Sequence, residues 1–231
     1  MIVSGLQKLT LLDFPGKTAC IIFTRDCNFR CPFCHNADLV IGDAAPMDNE
    51  EIFAYLDKRQ KLLDGVVITG GEPLMQKDIA DFIRCVKSYG YAVKLDTNGT
   101  FPDRLKMLLD EGLVDYVAMD IKNGEEQYLQ TAGITNEAFL ARVKESISLI
   151  MTSGVSYEFR TTVVKGLHTK ESLLSAFAMI KGAEKYYLQG FVDSGALIDE
   201  DGLAAFSKAE MQEFVTLAKD FVKSVALRGY D

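Results

Sequence analysis

The chain has 231 residues and a formal net charge of −8, with 25 Lys and Arg against 33 Asp and Glu. This acidic balance argues against a nucleic-acid-binding protein, which usually presents a basic surface to phosphate. The sequence shows no secretory signal at its start and no apolar run near the ~18 residues needed to cross a bilayer. We therefore expect a cytoplasmic protein without membrane contact, and the length fits a single domain over residues 1–231.

The first part of the chain predicts a turn, a strand and a helix in succession. Residues 4–17 contain short apolar runs and end in Asp13-Phe14-Pro15-Gly16, a combination typical of turns. The apolar residues 19–24 then predict a strand. After a cysteine-rich loop, Asp48 precedes apolar residues at helical spacing, and we expect this helix to end at Gly65.

The rest of the chain repeats an alternation of strand and helix. Apolar residues at helical spacing predict helices that begin near residue 79, Pro102, Asn136, Thr169 and Ser207. The six predicted strands cover residues 19–24, 66–69, 91–95, 116–119, 157–164 and 186–191. This alternation predicts an α/β fold with parallel strands and right-handed crossovers, in which function lies at the carboxyl ends of the strands.

Three cysteines fall within eight residues directly after the first predicted strand. Cys27, Cys31 and Cys34 have the spacing Cys-x3-Cys-x2-Cys, which allows three thiolates to bind one metal centre. Three thiolates on a [4Fe-4S] cluster leave one iron without a protein ligand, and such an open position can act on a substrate. A zinc site with His35 is the alternative, but zinc ligands usually lie two or more residues apart.

Polar residues also lie at or just past the ends of the other predicted strands. They are Gly70-Gly71-Glu72, Asp96-Thr97-Asn98, Asp120 with Lys122, His168 and Gln189, whereas Arg160 lies within the fifth predicted strand. An arginine inside a β-branched strand is costly unless it is paired, which favours a functional role for that residue. Because the carboxyl ends of parallel strands meet at one edge of a sheet, we expect the cysteine loop to converge with the motifs at residues 70–72, 96–98 and 120–122. His168 and Gln189 are candidates to face a substrate, with an ordinary polar loop residue as the alternative for His168.

Together these motifs resemble the radical S-adenosylmethionine (SAM) superfamily. The cysteine loop, with Phe33 before its last cysteine, and Gly70-Gly71-Glu72-Pro73 carry the likeness. The extension Cys34-His35-Asn36, with Asp96-Thr97-Asn98-Gly99 and Asp120-Ile121-Lys122, is similar to the activating enzymes of glycyl radical enzymes. The resemblance covers roughly residues 5–191 and implies an incomplete (β/α)6 barrel of parallel strands that is open on one side.

The resemblance also implies two cofactors. A [4Fe-4S] cluster on Cys27, Cys31 and Cys34 would bind the amino and carboxylate groups of SAM at its open iron. An electron from the cluster would then cleave SAM to methionine and a 5′-deoxyadenosyl radical. The implied SAM-binding residues are Phe33, Gly70, Gly71, Glu72, Asp96, Asn98, Asp120, Lys122, Arg160 and Gln189.

Individual roles follow from the same likeness. Phe33 matches the position that packs on adenine, and Glu72 the position that accepts a hydrogen bond from the methionine amine. Asp120 and Lys122 would reach the ribose and methionine ends of SAM, with a surface ion pair as the alternative.

A further group is implied near the SAM carboxylate. Asp96 and Thr97 match positions that help to hold a monovalent cation, and the backbone of Ala118 would complete this site. A helix cap is the alternative for Asp96. The turn that begins at Asp13 becomes, by resemblance, a lip of the active site.

The predicted function is activation of a glycyl radical enzyme, by removal of a hydrogen atom from one backbone glycine of that partner. The partner would be an anaerobic ribonucleotide reductase or a pyruvate formate-lyase-type enzyme, and flavodoxin or ferredoxin would supply the electron. One alternative is a radical SAM enzyme acting on a small molecule, such as a 7-carboxy-7-deazaguanine synthase-like reaction. Another is a non-enzymatic iron-sulfur or zinc module.

Overall fold

The computed structural model describes residues 1–42 and 44–230. They contain an eight-stranded sheet whose strands lie side by side in sequence order. The first two strands are antiparallel, and every later pair of neighbours is parallel. The strands are β1 (Val3–Thr10), β2 (Ala19–Thr24), β3 (Gly65–Gly70), β4 (Ala92–Thr97), β5 (Tyr116–Asp120), β6 (Ser156–Val163), β7 (Lys185–Gly190) and β8 (Ser224–Arg228).

Helices connect the strands and pack on one face of the sheet. They are α1 (Ala37–Val40), α2 (Asn49–Arg59), α3 (Ile79–Ser88), α4 (Pro102–Asp110), α5 (Tyr128–Ala132), α6 (Ala138–Thr152), α7 (Lys170–Met179) and α8 (Lys208–Ala218). A short 3-10 helix, Pro73–Met75, follows β3. Within residues 1–42 and 44–230, no helix has the length and apolar character needed to cross a membrane.

The predicted α/β fold with parallel strands is confirmed, and the six predicted strands correspond to β2 to β7. The predicted count of six is wrong, because it omits β1 and β8. These two strands form the edges of the open sheet, and most of their side chains are at least partly exposed. Edge strands therefore lack the continuous apolar run that marks a strand buried on both faces.

The helix after Asp48 is shorter than predicted. Asp48 caps α2 by accepting a 2.9 Å hydrogen bond from the backbone N–H of Glu50. The helix ends at Arg59, whereas Gly65 is the first residue of β3. Gln60, directly after the helix, has a φ of −51° and a ψ of 137°, so the backbone leaves the helical path there, and Lys61 follows in the left-handed region with a φ of 69°.

The two faces of the sheet differ in character. Side chains on the helix-covered face, such as Ile22, Ile68 and Leu95, belong to the main apolar core. The opposite face, called the cavity face below, carries a small apolar cluster in which the ring of Phe14 lies 6.1 Å from that of Tyr116. Since residues two apart on a strand share a face, several charged residues lie on this same face. They are Lys94, Asp96, Asp120, Glu158 and Arg160.

Candidate active site

A cavity of about 460 Å³ lies where the carboxyl ends of the parallel strands meet. It collects all but two, Glu72 and Ala118, of the residues that the sequence singles out as cluster, SAM or cation ligands. Those that line it are Cys27, Cys31, Phe33, Cys34, Gly70, Gly71, Asp96, Thr97, Asn98, Asp120, Lys122, Arg160 and Gln189. The structure therefore brings these residues to one site, while their contacts with a ligand stay predictions.

The three cysteines are free thiols on the wall of this cavity. The backbone N–H of Phe29 points at Cys27 Sγ from 3.4 Å, and Asn98 Nδ2 lies 3.9 Å from the same sulfur. Burial is the main cause that raises the pKa of Cys27 to about 12 and that of Cys31 to about 11. Both sulfurs therefore stay protonated near neutral pH unless a metal centre takes their protons.

The thiols do not converge tightly enough to form a single-ion site. Among the described residues, no group of three or more His, Cys, Asp or Glu side chains could hold one metal ion. The described residues therefore do not form the compact group of ligands that the zinc alternative requires. Three thiols around a shared cavity instead suit a larger centre such as a [4Fe-4S] cluster, which spreads its ligands over several irons.

The cysteine loop rests on the backbone that follows β3. The N–H of Glu72 donates a 2.8 Å hydrogen bond to the carbonyl oxygen of Asp26, just before Cys27. A Cβ added to Gly71 would lie only 2.0 Å from that same oxygen, so only glycine fits at this position. The sequence suggests that the two glycines admit a ligand closely. In the structure, the absence of a side chain at Gly71 allows the backbone of Asp26 to pack against it, and Gly71 also lines the cavity.

Glu72 is the predicted SAM-binding residue that does not line the cavity. Its carboxylate is fully buried and accepts hydrogen bonds from Leu74 N (3.0 Å), Thr97 Oγ1 (2.8 Å) and Asn98 N (2.6 Å). Burial outweighs these hydrogen bonds and raises the pKa of Glu72 to about 7. The carboxylate links the ends of β3 and β4, and its predicted contact with a methionine amine stays a prediction.

A chain of ion pairs crosses the cavity face. Arg160 donates from Nη1 to Asp96 Oδ2 and from Nε to Asp120 Oδ1, both at 2.9 Å, and Lys122 Nζ lies 3.0 Å from Asp120 Oδ2. Burial alone would raise the pKa of Asp120, but the charges of Arg160 and Lys122 lower it to about 2. All four side chains are mostly buried, so the surface-pair alternative for Asp120 and Lys122 does not describe this network.

Sequence reasoning missed Lys94, which lies on β4 two residues before Asp96. Its side chain is 2% exposed, and its Nζ lies 3.2 Å from Asp96 Oδ1 and 2.5 Å from the carbonyl oxygen of Asp13. The period of two along β4 could have revealed it, because it places Lys94 and Asp96 on the same face. Asp13, from the predicted turn, lines the cavity, as a lip of the site would.

His168 lies behind the cavity and does not line it. The backbone N–H of Val164 donates a 3.0 Å hydrogen bond to its Nδ1, so the proton of the neutral ring lies on Nε2. That nitrogen donates to the carbonyl oxygen of Lys122 at 2.8 Å. His168 therefore fixes the backbone of a cavity residue.

This geometry defines an α/β protein in which an open parallel sheet carries a three-cysteine loop and a charged cavity at its strand ends. The model of the radical SAM superfamily matches residues 21–175, and the chain belongs to that superfamily. It is thus an enzyme of radical chemistry, and the family implies a [4Fe-4S] cluster and SAM. The three-thiol donor set and the shared cavity fit these cofactors.

Two curated relatives and one solved structure illustrate the similarity. A candidate glycyl-radical enzyme activating enzyme of Methanocaldococcus jannaschii is 32% identical over 98% of this chain and 95% of its own length. The pyruvate formate-lyase-activating enzyme of Listeria monocytogenes is 29% identical over 58% of each chain. The SAM-bound structure of SuiB from Streptococcus suis matches with a TM-score of 0.67 and 13% identity, over 88% of this chain and 48% of that one. At this identity, SuiB supports the fold alone.

Proposed function

We propose that this chain is a radical SAM activase that generates a glycyl radical on a partner enzyme. The observation that carries the proposal is the cavity lined by three thiols and by the charged ends of β4, β5 and β6. The similarity to the Methanocaldococcus jannaschii relative supports the activase role, because it spans nearly the full length of both chains.

Cys27, Cys31 and Cys34 would hold the cluster, which when bound supplies the electron that cleaves SAM. The remaining work falls to this chain's own residues. The backbone N–H of Phe29 and the side-chain amide of Asn98, which both point at Cys27 Sγ, would stabilise negative charge on that sulfur.

SAM would occupy the rest of the cavity. Asp120, Lys122 and Arg160 are already held in place by one another, so they present ordered charges and hydrogen-bonding groups to a zwitterionic ligand. Phe33, which is 4% exposed at the cavity wall, offers an apolar ring for the adenine. Gln189, near the end of β7, adds a polar group to the cavity wall.

The partner is a glycyl radical enzyme of the anaerobic ribonucleotide reductase or pyruvate formate-lyase type. The turn after β1 supports a protein substrate, because Leu11 and Leu12 are 70% and 89% exposed. Adjacent exposed leucines often mark a protein contact, and the next residue, Asp13, lines the cavity. Reduced flavodoxin or ferredoxin would supply the electron in the cytoplasm.

The test is an anaerobic incubation of cluster-reconstituted protein with SAM, a reductant and each candidate partner. We expect 5′-deoxyadenosine in a 1:1 ratio with a glycyl radical detected by electron paramagnetic resonance on one partner. Reduced flavodoxin and reduced ferredoxin, each in place of a chemical reductant, identify the donor. Formation of 5′-deoxyadenosine without a protein radical on any partner would favour the small-molecule reaction.

Cysteine variants test the cluster assignment independently of the partner. Cys27→Ala, Cys31→Ala and Cys34→Ala should each lose the iron-sulfur absorption and the cleavage of SAM. Cys85→Ala is the matched control, since Cys85 is a free cysteine on α3 outside the cavity. Normal iron content in any of the three variants would contradict the assignment.

A further inference from the structure

We infer that Lys94 is a built-in cation, whose ammonium group takes the place of the monovalent cation that the family resemblance implies at Asp96 and Thr97. The inference concerns the same cavity as the proposed function and deepens it. It predicts that this enzyme, unlike one with an open cation site, works and folds equally well in the absence of Na⁺ and K⁺.

Both carboxylate oxygens of Asp96 already lie beside a cationic side chain. Arg160 Nη1 lies 2.9 Å from Oδ2, and Lys94 Nζ lies 3.2 Å from Oδ1, so each carboxylate oxygen faces a cation. The contact at Oδ1 is an ion pair without hydrogen-bond geometry, so it acts through charge. An added K⁺ or Na⁺ on Oδ1 would lie beside the Lys94 ammonium, and like charges at that separation repel strongly in a buried site. The expected cation therefore does not fit the residues present.

Lys94 itself is held as a bound ion would be. Its side chain is 2% exposed, and its ammonium group has two oxygen partners, Asp96 Oδ1 at 3.2 Å and the backbone carbonyl of Asp13 at 2.5 Å. Carboxylate and carbonyl oxygens are also the ligands that a hard cation prefers. The turn that carries Asp13 therefore supplies the ammonium group with a carbonyl ligand.

Thr97 is also committed elsewhere. Its hydroxyl donates a 2.8 Å hydrogen bond to Glu72 Oε1 and accepts a 3.1 Å hydrogen bond from the N–H of Gly99. These contacts direct the oxygen to the buried carboxylate behind the cavity. With Asp96 paired twice and Thr97 bound to Glu72, two of the three expected cation ligands already have other partners.

The test compares cluster-reconstituted wild-type protein with Lys94→Met under anaerobic conditions. Melting temperature and the dissociation constant for SAM are measured in KCl, NaCl and tetramethylammonium chloride at equal ionic strength. We expect wild-type values to agree in all three salts. Lys94→Met frees Asp96 Oδ1, so it should melt several degrees higher, and bind SAM several-fold more tightly, in K⁺ or Na⁺ than in tetramethylammonium. Lys106→Met is the matched control, because Lys106 pairs with Asp110 on an exposed helix face and should leave both values independent of the salt.

Each result of this comparison either supports or overturns the inference. A wild-type protein that is selectively stabilised by K⁺ or Na⁺ would overturn the inference, and so would a folded Lys94→Met protein that ignores the cation. If Lys94→Met does not fold, the wild-type comparison decides alone, with salt independence as support and a selective K⁺ or Na⁺ effect as refutation. The melting measurement requires no SAM cleavage, so failure of the proposed function would not be mistaken for failure of this inference.

Discussion

The backbone N–H of Asn98 donates a 2.6 Å hydrogen bond to Oε2 of Glu72, although the two residues follow different strands. Glu72 lies just beyond β3, and Asn98 lies just beyond β4. The side chain of Asn98 then reaches Asn28 Oδ1 at 2.9 Å and points at Cys27 Sγ. A buried carboxylate thereby sets the position of a side chain that contacts the cysteine loop.

Replacement of Glu72 by Gln should destabilise the protein even without SAM. The amide can accept hydrogen bonds at one atom only, so either Asn98 N–H or the donors at Oε1 lose their acceptor, at about 1–3 kcal/mol in the free energy of unfolding. Urea unfolding of the two proteins measures this change. Glu125→Gln, at an exposed ion pair with Lys144, is the control. If Glu72 instead acts only by binding SAM, the variant would unfold like wild type and bind SAM more weakly.

Arg160→Gln should lower the free energy of unfolding by about 2 kcal/mol, less than the 3–5 kcal/mol typical of a fully uncompensated buried charge. The loss is moderate because Asp96 keeps Lys94 and Asp120 keeps Lys122 as a partner. Chemical unfolding checks the value, and Arg84→Gln, at an exposed site, should have a smaller effect. The SAM dissociation constant should rise in Arg160→Gln alone. Equal losses of unfolding free energy in the two variants would show that the ion pairs of the cavity stabilise the fold no more than an exposed pair does.

His168 should make the stability depend on pH. Burial lowers its pKa below the ordinary value of 6.5, although its two backbone partners oppose this shift. The folded state therefore binds the proton less readily than the unfolded state. Above pH 6.5 the ring is neutral in both states and His168 costs no folding stability, whereas below pH 6.5 protonation of the unfolded state lowers the free energy of unfolding. Wild type should lose stability relative to His168→Gln by at most about 1.4 kcal/mol per pH unit in that range. Urea unfolding between pH 5 and pH 8 measures both slopes, and parallel slopes would rule out this role.

The sequence predicts β2 to β7 and the meeting of their polar ends, because short apolar runs rich in β-branched residues are typical of buried parallel strands. It does not predict β8, whose Arg228 donates from two nitrogens to Glu158 at 2.8 and 3.0 Å. This pairing satisfies a fully buried carboxylate across the sheet. Contacts between residues so far apart in the chain leave no mark on local apolar periodicity.

The candidate site was also predictable from the sequence only in part. The three cysteines could be assigned from their spacing, since a loop of eight residues confines them to one region. The orientation of Glu72 and the partner of Asp96 could not, because motif position does not say whether a carboxylate faces the cavity or the core. The buried ammonium group of Lys94 is a partner of Asp96. This contact depends on the packing of β4 against the turn at Asp13, which the sequence alone does not reveal.

Gly133 should be required for the position of the cysteine loop. It ends α5 with a φ of 64°, and a Cβ there would lie 2.1 Å from the carbonyl oxygen of Arg30, in the middle of the loop. The neighbouring Ala132 carbonyl accepts a 2.9 Å hydrogen bond from Arg30 N, so the two backbones cannot separate without losing this contact. Gly133→Ala should therefore displace the loop as well as strain the backbone.

Gly112 offers a matched control, because it also has a φ of 64°, but a Cβ added there would meet no atom of the described residues within 4 Å. Gly112→Ala should lower the free energy of unfolding by about 1 kcal/mol through backbone strain alone and leave the iron content unchanged. Gly133→Ala should lose more stability and also take up less iron during anaerobic reconstitution, which iron and sulfide analysis would show. Because both variants share the conformational strain, a difference in iron content isolates the steric contact with Arg30. Equal iron content would mean that the loop accommodates the added methyl group.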